Sequence, residues 1–310
     1  MGKFVVRRLL QMVLVLFGAS IILFVTLFVV PGDPIATSQG EGRQLDPSTR
    51  AALEHRYGLD KPLPQQYISY VGRLVQGDLG ESYVYRRSVN TIISEKLGNT
   101  VRLAAAAVAL MMVLGILAGI VSAVFRYSFL DVLVTLSTTF AIGVPTFVIG
   151  LALQNVFAIK LGWLPLQGQS QGITKSIILP AFTLAAVDTA LVSRLMRGTM
   201  SEVMRADYIR TAYAKGLSKR VVILKHALRN SIIPVLTFLG IAFGALLGGA
   251  LITETVFNWN GIGLALVGAI QSQDNPIVLG VVTYGIAVFV LVNLIVDVCY
   301  AFLAPRIRLE

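Results

Sequence analysis

A chain of 310 residues that is 55% hydrophobic and 14% charged, with a mean hydropathy of +0.76, is too apolar for a soluble domain and falls among membrane proteins. Its formal net charge of +10 sits in cations beside apolar runs, which favours membrane topology over nucleic-acid binding. One cysteine, Cys299, excludes an internal disulfide framework, and with only two histidines, His55 and His226, the sequence argues against a metal site.

A hydrocarbon core of about 30 Å needs about 20 apolar helical residues. Six segments meet that length. The first, 9–30, follows Lys3, Arg7 and Arg8 and is stopped by Pro31-Gly32-Asp33-Pro34. It is longer than a signal-peptide core and no small-residue cleavage site follows it, so it reads as a retained span. Segment 32–99 balances its charges and carries Tyr57, Tyr67, Tyr70, Tyr83 and Tyr85, the pattern of a small ordered external subdomain of short helices. The second span is expected at 100–125 and the third at 130–159, where Pro145 after Gly143 offers a kink. The fourth, 177–195, is the least hydrophobic. The fifth is expected at 232–252 and the sixth at 277–303. The expected domains are therefore 1–31 (cytoplasmic N-terminus and first span), 32–99 (external subdomain) and 100–310 (five-span core).

The cations set the orientation. Arg126, Arg306, Arg308 and the loop 197–231, which holds Arg197, Arg205, Arg210, Lys215, Lys219, Arg220, Lys225 and Arg229, fall with the N-terminus on one side of six spans. That side is expected to be the cytoplasm, with both termini inside. No phosphate-binding G-x-x-x-x-G-K-[ST] pattern, no H-E-x-x-H and no G-x-S-x-G occurs, so the chain is expected to transport rather than to catalyse.

Polar groups inside the spans are the candidates for a pathway. Asp188 lies about eleven residues into the fourth span, about 16 Å deep, near mid-bilayer. Glu254 and Asn258 mark the outer end of the fifth span, as a gate or as an ordinary interfacial turn. Gly240, Gly244, Gly248 and Gly249 make a close-packing face on the fifth span, expected to meet a partner subunit. Arg102 and Asp131 sit at span ends, where their charged heads can reach the interface.

The loop carries a specific resemblance. Asp207-Tyr208-Ile209-Arg210-Thr211-Ala212-Tyr213-Ala214-Lys215-Gly216, then His226-Ala227-Leu228-Arg229-Asn230 and Pro234, resembles the "EAA" loop of ATP-binding-cassette importer permeases. The wording resembles that of the dipeptide/oligopeptide/nickel branch, where Arg210 stands in place of the general glutamate and Leu228-Arg229 in place of Leu-Pro. Tyr57-Gly58-Leu59-Asp60, Gly77-Asp78-Leu79-Gly80, Thr253-Glu254-Thr255-Val256-Phe257 and Asn293 to Tyr300 extend the match, and the long loop after the first span resembles the first of the branch's two permeases.

The resemblance implies an all-α fold of six transmembrane helices, the type I importer permease fold, with cytoplasmic coupling helices. It implies a bacterial or archaeal inner membrane location and import of di- or oligopeptides, or of glutathione or a nickel chelate. It further implies a homologous second permease, two cytoplasmic ATPase subunits that bind ATP and magnesium, and an external substrate-binding protein, with no cofactor on this chain. Asp207, Tyr208, Arg210, Thr211, Ala212, Ala214, Lys215, Gly216 and Leu217 are then the residues that couple it to the ATPases.

Overall fold

The computed structural model describes residues 2–29, 46–168 and 173–303. Among them the regular structure is helical, apart from one isolated antiparallel bridge between Glu81 and Ser88. The Pro31-Gly32-Asp33-Pro34 stop and the Arg306-Arg308 tail lie outside the described residues. In chain order the helices are α1 (Gly2–Val29), α2 (Pro47–Tyr57), α3 (Leu63–Val75), α4 (Val89–Val124), α5 (Phe129–Gly143) and α6 (Thr146–Lys160). After a single turn at 173–176 come α7 (Ile178–Val203), α8 (Asp207–Ala214), α9 (Lys219–Leu247), α10 (Leu251–Val256), α11 (Ile262–Gln271) and α12 (Asn275–Leu303).

Helices α1, α4, α7, α9 and α12 are each long and apolar enough to cross a membrane, and α5 with α6 makes a sixth crossing if the bent pair is one span. The third span is therefore broken, not gently kinked. Its halves meet at 105°. The cause is local: Val144 (φ −99°, ψ 128°) and Pro145 (φ −56°, ψ 137°) are both extended, because proline disfavours the helical region for the residue before it. Three helices contain π-helical turns, at Met111–Gly115 in α4, Gln154–Lys160 in α6 and Val222–Ala227 in α9.

The chain folds as two compact units, and the first hundred residues do not form one alone. One unit gathers residues 1–100, 247–251 and 260–290. Val89, Ile92 and Ile93 of α4 pack on Ile262, Leu266 and Ala269 of α11 and on Ile277, Val278 and Val281 of α12. Two short helices, α2 and α3, follow the first span as its sequence predicts. The loop after them is pinned by Asp274, a fully buried carboxylate that accepts from the Ser82 hydroxyl and from the backbone N–H groups of Tyr83 (3.2 Å) and Val84 (3.3 Å). Tyr70 is buried and shares a 2.9 Å hydrogen bond with Thr283.

The other unit comprises 101–246, 252–259 and 291–310. Its core joins Ala107 and Met111 of α4, Val192, Met196 and Met200 of α7, Ile209 and Ala212 of α8, and Val235 and Leu239 of α9. Gly115 and Gly119 let α4 and α7 approach closely, as small residues four apart do in membranes. A methyl group on Gly119 would stand 2.5 Å from Met196 Cβ and 2.7 Å from the Ser193 carbonyl oxygen. Gly119→Ala is expected to lower stability by about 1–3 kcal/mol through overpacking. Gly198→Ala, where a methyl meets nothing within 4 Å, should be neutral or stabilising. Thermal unfolding of the two variants in detergent, side by side, checks this.

The glycine face of the fifth span has a different neighbour from the one expected. Methyl groups on Gly240 and Gly244 would meet Val296 Cγ2 at 2.5 Å and Val292 Cβ at 2.9 Å, so these positions seat α9 against the chain's own α12. Gly248 lies 3.2 Å from a methyl built on Gly285, also of this chain. Gly249 (φ +108°) breaks the helix, so the fifth span ends at Leu247 and not at 252.

Candidate coupling loop and pathway residues

Helix α7 runs on as far as Val203, past the predicted end of the fourth span, and a short turn through Ala206 (ψ 147°) starts α8. Asp207 lies in the first turn, where a carboxylate suits the positive end of the helix. The eight residues of α8 have two faces. Ile209 (1% exposed) and Ala212 (6%) point into the core that α4, α7 and α9 share. Asp207, Tyr208, Arg210, Thr211 and Ala214 are exposed, as are Lys215, Gly216 and Leu217 just beyond.

The helix stops by a left-handed residue. Gly216 has φ +78°, its N–H donates to the Tyr213 carbonyl (2.9 Å), and the Leu217 N–H reaches back to Ala212 (3.3 Å). This is the Schellman pattern, which glycine adopts without a Cβ penalty. Arg210 and Asp207 face each other at 3.8 Å, both highly exposed, so their attraction is weak and both heads stay open to a partner.

One contact roots the stub directly and two more tie the helices around it. Asn230 Nδ2 donates to the Tyr208 hydroxyl (2.8 Å), tying α8 to α9. Thr199 Oγ1 donates to the Ser231 carbonyl (3.0 Å), tying α7 to α9. Lys219 Nζ lies 5.7 Å from the Phe125 ring centre. The basic segment is thus a short helix wedged between two spans by its own side chains. Of the nine coupling candidates, Ala212 is the one the structure turns inward: it packs the stub and presents nothing to another molecule.

The same end of the unit holds a pair that hydropathy and span-end position did not reveal. Arg197, read from sequence as a loop cation, lies within α7, and Asp131, read as free to reach the interface, is buried. Arg197 Nη2 donates to Asp131 Oδ2 at 2.9 Å. Asp131 also accepts from the Ser122 hydroxyl and from the Tyr127 N–H (2.9 Å), while its own N–H donates to the Ser128 hydroxyl (3.4 Å), the N-cap of α5. One carboxylate therefore fastens α4, α5 and α7. The S-x-x-D spacing of Ser128 and Asp131 signals the cap of α5, not the pair with Arg197.

The pathway candidates separate. Asp188 stands in mid-helix on α7, half-buried, without a hydrogen-bond or ion-pair partner among the described residues. Glu254 is fully buried, so in this structure it lines no aqueous surface. Like Phe257 and Trp259 close by in sequence, it belongs to the buried interior of its unit. Asn258 is exposed, and its φ of +47° makes it the left-handed stop of α10, with the Trp259 N–H closing onto the Glu254 carbonyl at 2.8 Å. Among the described residues no group of histidine, cysteine and carboxylate side chains is placed to hold a metal.

The chain is thus a helical membrane protein with a short two-faced stub packed between two of its long helices. Residues 1–104 match the family "Binding-prot-dependent transport system membrane comp, N-term", and residues 115–309 match the family "Binding-protein-dependent transport system inner membrane component". The chain belongs to this family of multi-pass inner-membrane permeases. It is 39% identical to the di/tripeptide transport system permease protein DppB of Pseudomonas aeruginosa and 38% identical to the glutathione transport system permease protein GsiC of Escherichia coli, in each case over 99% of both chains. Its fold is also that of a chain in the MetNI methionine ABC transporter, with a TM-score of 0.53 at 14% identity over 68% of this chain and 96% of that one.

Proposed function

We propose that this chain is one of two homologous permeases of an ATP-driven importer of di- or oligopeptides. Substrate arrives from an external binding protein, and two ATPase subunits that hold ATP and magnesium drive the cycle from the cytoplasm. The observation that carries this reading is α8: a polar outward face on a stub whose inward face is part of the core of three spans. Displacing the stub must move α7 and α9. Asp207, Tyr208, Arg210, Thr211, Ala214, Lys215, Gly216 and Leu217 form the docking face, and Ala212 holds it in place. The cation excess of 197–231 supports a cytoplasmic side for this face and for both termini, with segment 32–99 outside. The division into 1–31, 32–99 and 100–310 describes these topological regions.

Asp188 lines the pathway in this reading and attracts the amino terminus or a basic side chain of the peptide. The relatives' names support peptides, with glutathione as the alternative and a nickel chelate as a further member of the same branch. Uptake into proteoliposomes holding the whole complex separates them. ATP- and binding-protein-dependent accumulation of labelled dipeptide in excess of glutathione and nickel chelate is expected, with Asp188→Asn lowering uptake of lysine-containing peptides more than that of neutral ones. Uptake without ATPase subunits would instead make the chain a self-sufficient carrier.

A further inference from the structure

A polar cavity of about 220 Å³ lies in the first unit, among α1, α2, α3 and the start of α12. Its floor is aromatic: Phe24 and Phe28 of α1 stack at 4.5 Å, and Tyr57 and Tyr83 lie 4.5 Å apart. Its walls are cationic. Arg56 is held by Glu81 at 2.8 Å, whereas Lys61 and Arg73 have no ion-pair partner among the described residues. The Tyr57 hydroxyl is buried at the cavity wall with no hydrogen-bond partner among the described residues. Burial above all, and the Glu81 carboxylate beyond it, raise the Tyr57 phenol above its ordinary value, so it stays a donor. Among the described residues, two cations without an ion-pair partner and an unmet donor around a polar cavity describe a site for an anion.

The location selects which anion. Phe24 and Phe28 close the C-terminal end of the candidate span Val6–Phe28, the level at which hydrocarbon gives way to water. Below them Ile21, Ile22 and Val25 are exposed on the same helix, a surface suited to acyl chains. We propose that this cavity binds the phosphate of an anionic glycerophospholipid, with Lys61 and Arg73 on the headgroup and the chains along α1. A carboxylate or free phosphate would use the cations but leave the apolar lane without a role. The proposal rests on the membrane location of the chain and is independent of what the transporter carries.

Native mass spectrometry of the delipidated full chain, titrated with phosphatidylglycerol, phosphatidylcholine or inorganic phosphate, tests it. Phosphatidylglycerol is expected to bind about twenty-five-fold tighter than phosphatidylcholine. The difference should fall about fivefold for Lys61→Ala and again for Arg73→Ala, the effect of about one interfacial charge each. Lys61→Arg with Arg73→Lys should restore it, which separates a charge effect from misfolding. Equal binding of the two lipids would overturn the proposal. So would full competition by inorganic phosphate, or unchanged lipid binding in the double alanine variant. If that variant binds lipid normally yet no longer responds to the external binding protein, the cavity takes a protein carboxylate and the lipid assignment is wrong.

Discussion

Gly216→Asp combined with Ala214→Glu is expected to abolish binding-protein-stimulated ATP hydrolysis and peptide uptake in the reconstituted complex, while the chain still inserts and assembles. The two positions are chosen because the structure leaves room at both. A methyl on Gly216 meets nothing within 4 Å, so the aspartate costs only the strain of φ +78°, about 1 kcal/mol. Ala214 is exposed, and a glutamate there clashes with nothing in the core. Each adds an acid to a face whose cations, Arg210 and Lys215, are expected to pair with acids on the ATPase. Losing a central contact of such an interface costs about 2 kcal/mol or more, roughly a thirtyfold loss of affinity. Uptake should fall by at least that factor, and basal hydrolysis by the ATPase subunits should persist. Ala212→Glu makes an instructive contrast. It buries a charge among Ile209, Met200 and Val222, so the protein should lose stability before it loses coupling. Unchanged uptake in the first variant would reduce the loop to a topological anchor.

The spans were readable because an apolar run of the required length has few alternatives. Their ends were not. Helix α4 starts at Val89 and α9 at Lys219, each well before the predicted span, because polar turns outside the bilayer continue a helix without changing hydropathy. Pro145 after Gly143 marked where the third span departs from a straight helix, but the sequence alone did not give the size of the bend, 105° with Val144 and Pro145 both extended. The coupling stub was legible in its extent, since Gly216 marks its end, but not in its faces: Ala212, read from sequence as a coupling residue, packs inward with Ile209. Polar candidates fared unevenly because sequence does not say which way a side chain near a helix end turns. Glu254 and Asn258 are four residues apart, yet one is enclosed and the other exposed. The glycines of α9 showed that something approaches closely, without saying that it is α12. The Asp131–Arg197 pair joins residues 66 apart in the chain, beyond the reach of any local pattern.

That pair carries the second large effect. Asp131→Asn keeps the shape of the side chain but removes the charge that Arg197, Ser122 and the Tyr127 N–H all address. Breaking a buried pair from the acid side costs about 3–5 kcal/mol, because the arginine is left uncompensated. Arg197 is 37% exposed against 5% for Asp131, so water recovers part of its charge, and the lower end of that range is expected. Arg197→Gln should cost less, since Asp131 retains its hydroxyl and backbone donors. In the double variant the losses should not add; a favourable coupling of at least 1 kcal/mol is expected, whereas the exposed Arg50–Glu54 pair should show well under 1 kcal/mol. Unfolding of the four proteins in detergent measures the cycle, and strictly additive losses would show that the contact contributes nothing. The pair also fastens α4 and α5 to α7, the helix that leads into the coupling stub. Asp131→Asn should therefore lower uptake per ATP hydrolysed even at temperatures where the variant remains folded, because movement of α8 would reach α7 without being passed on to its two neighbours.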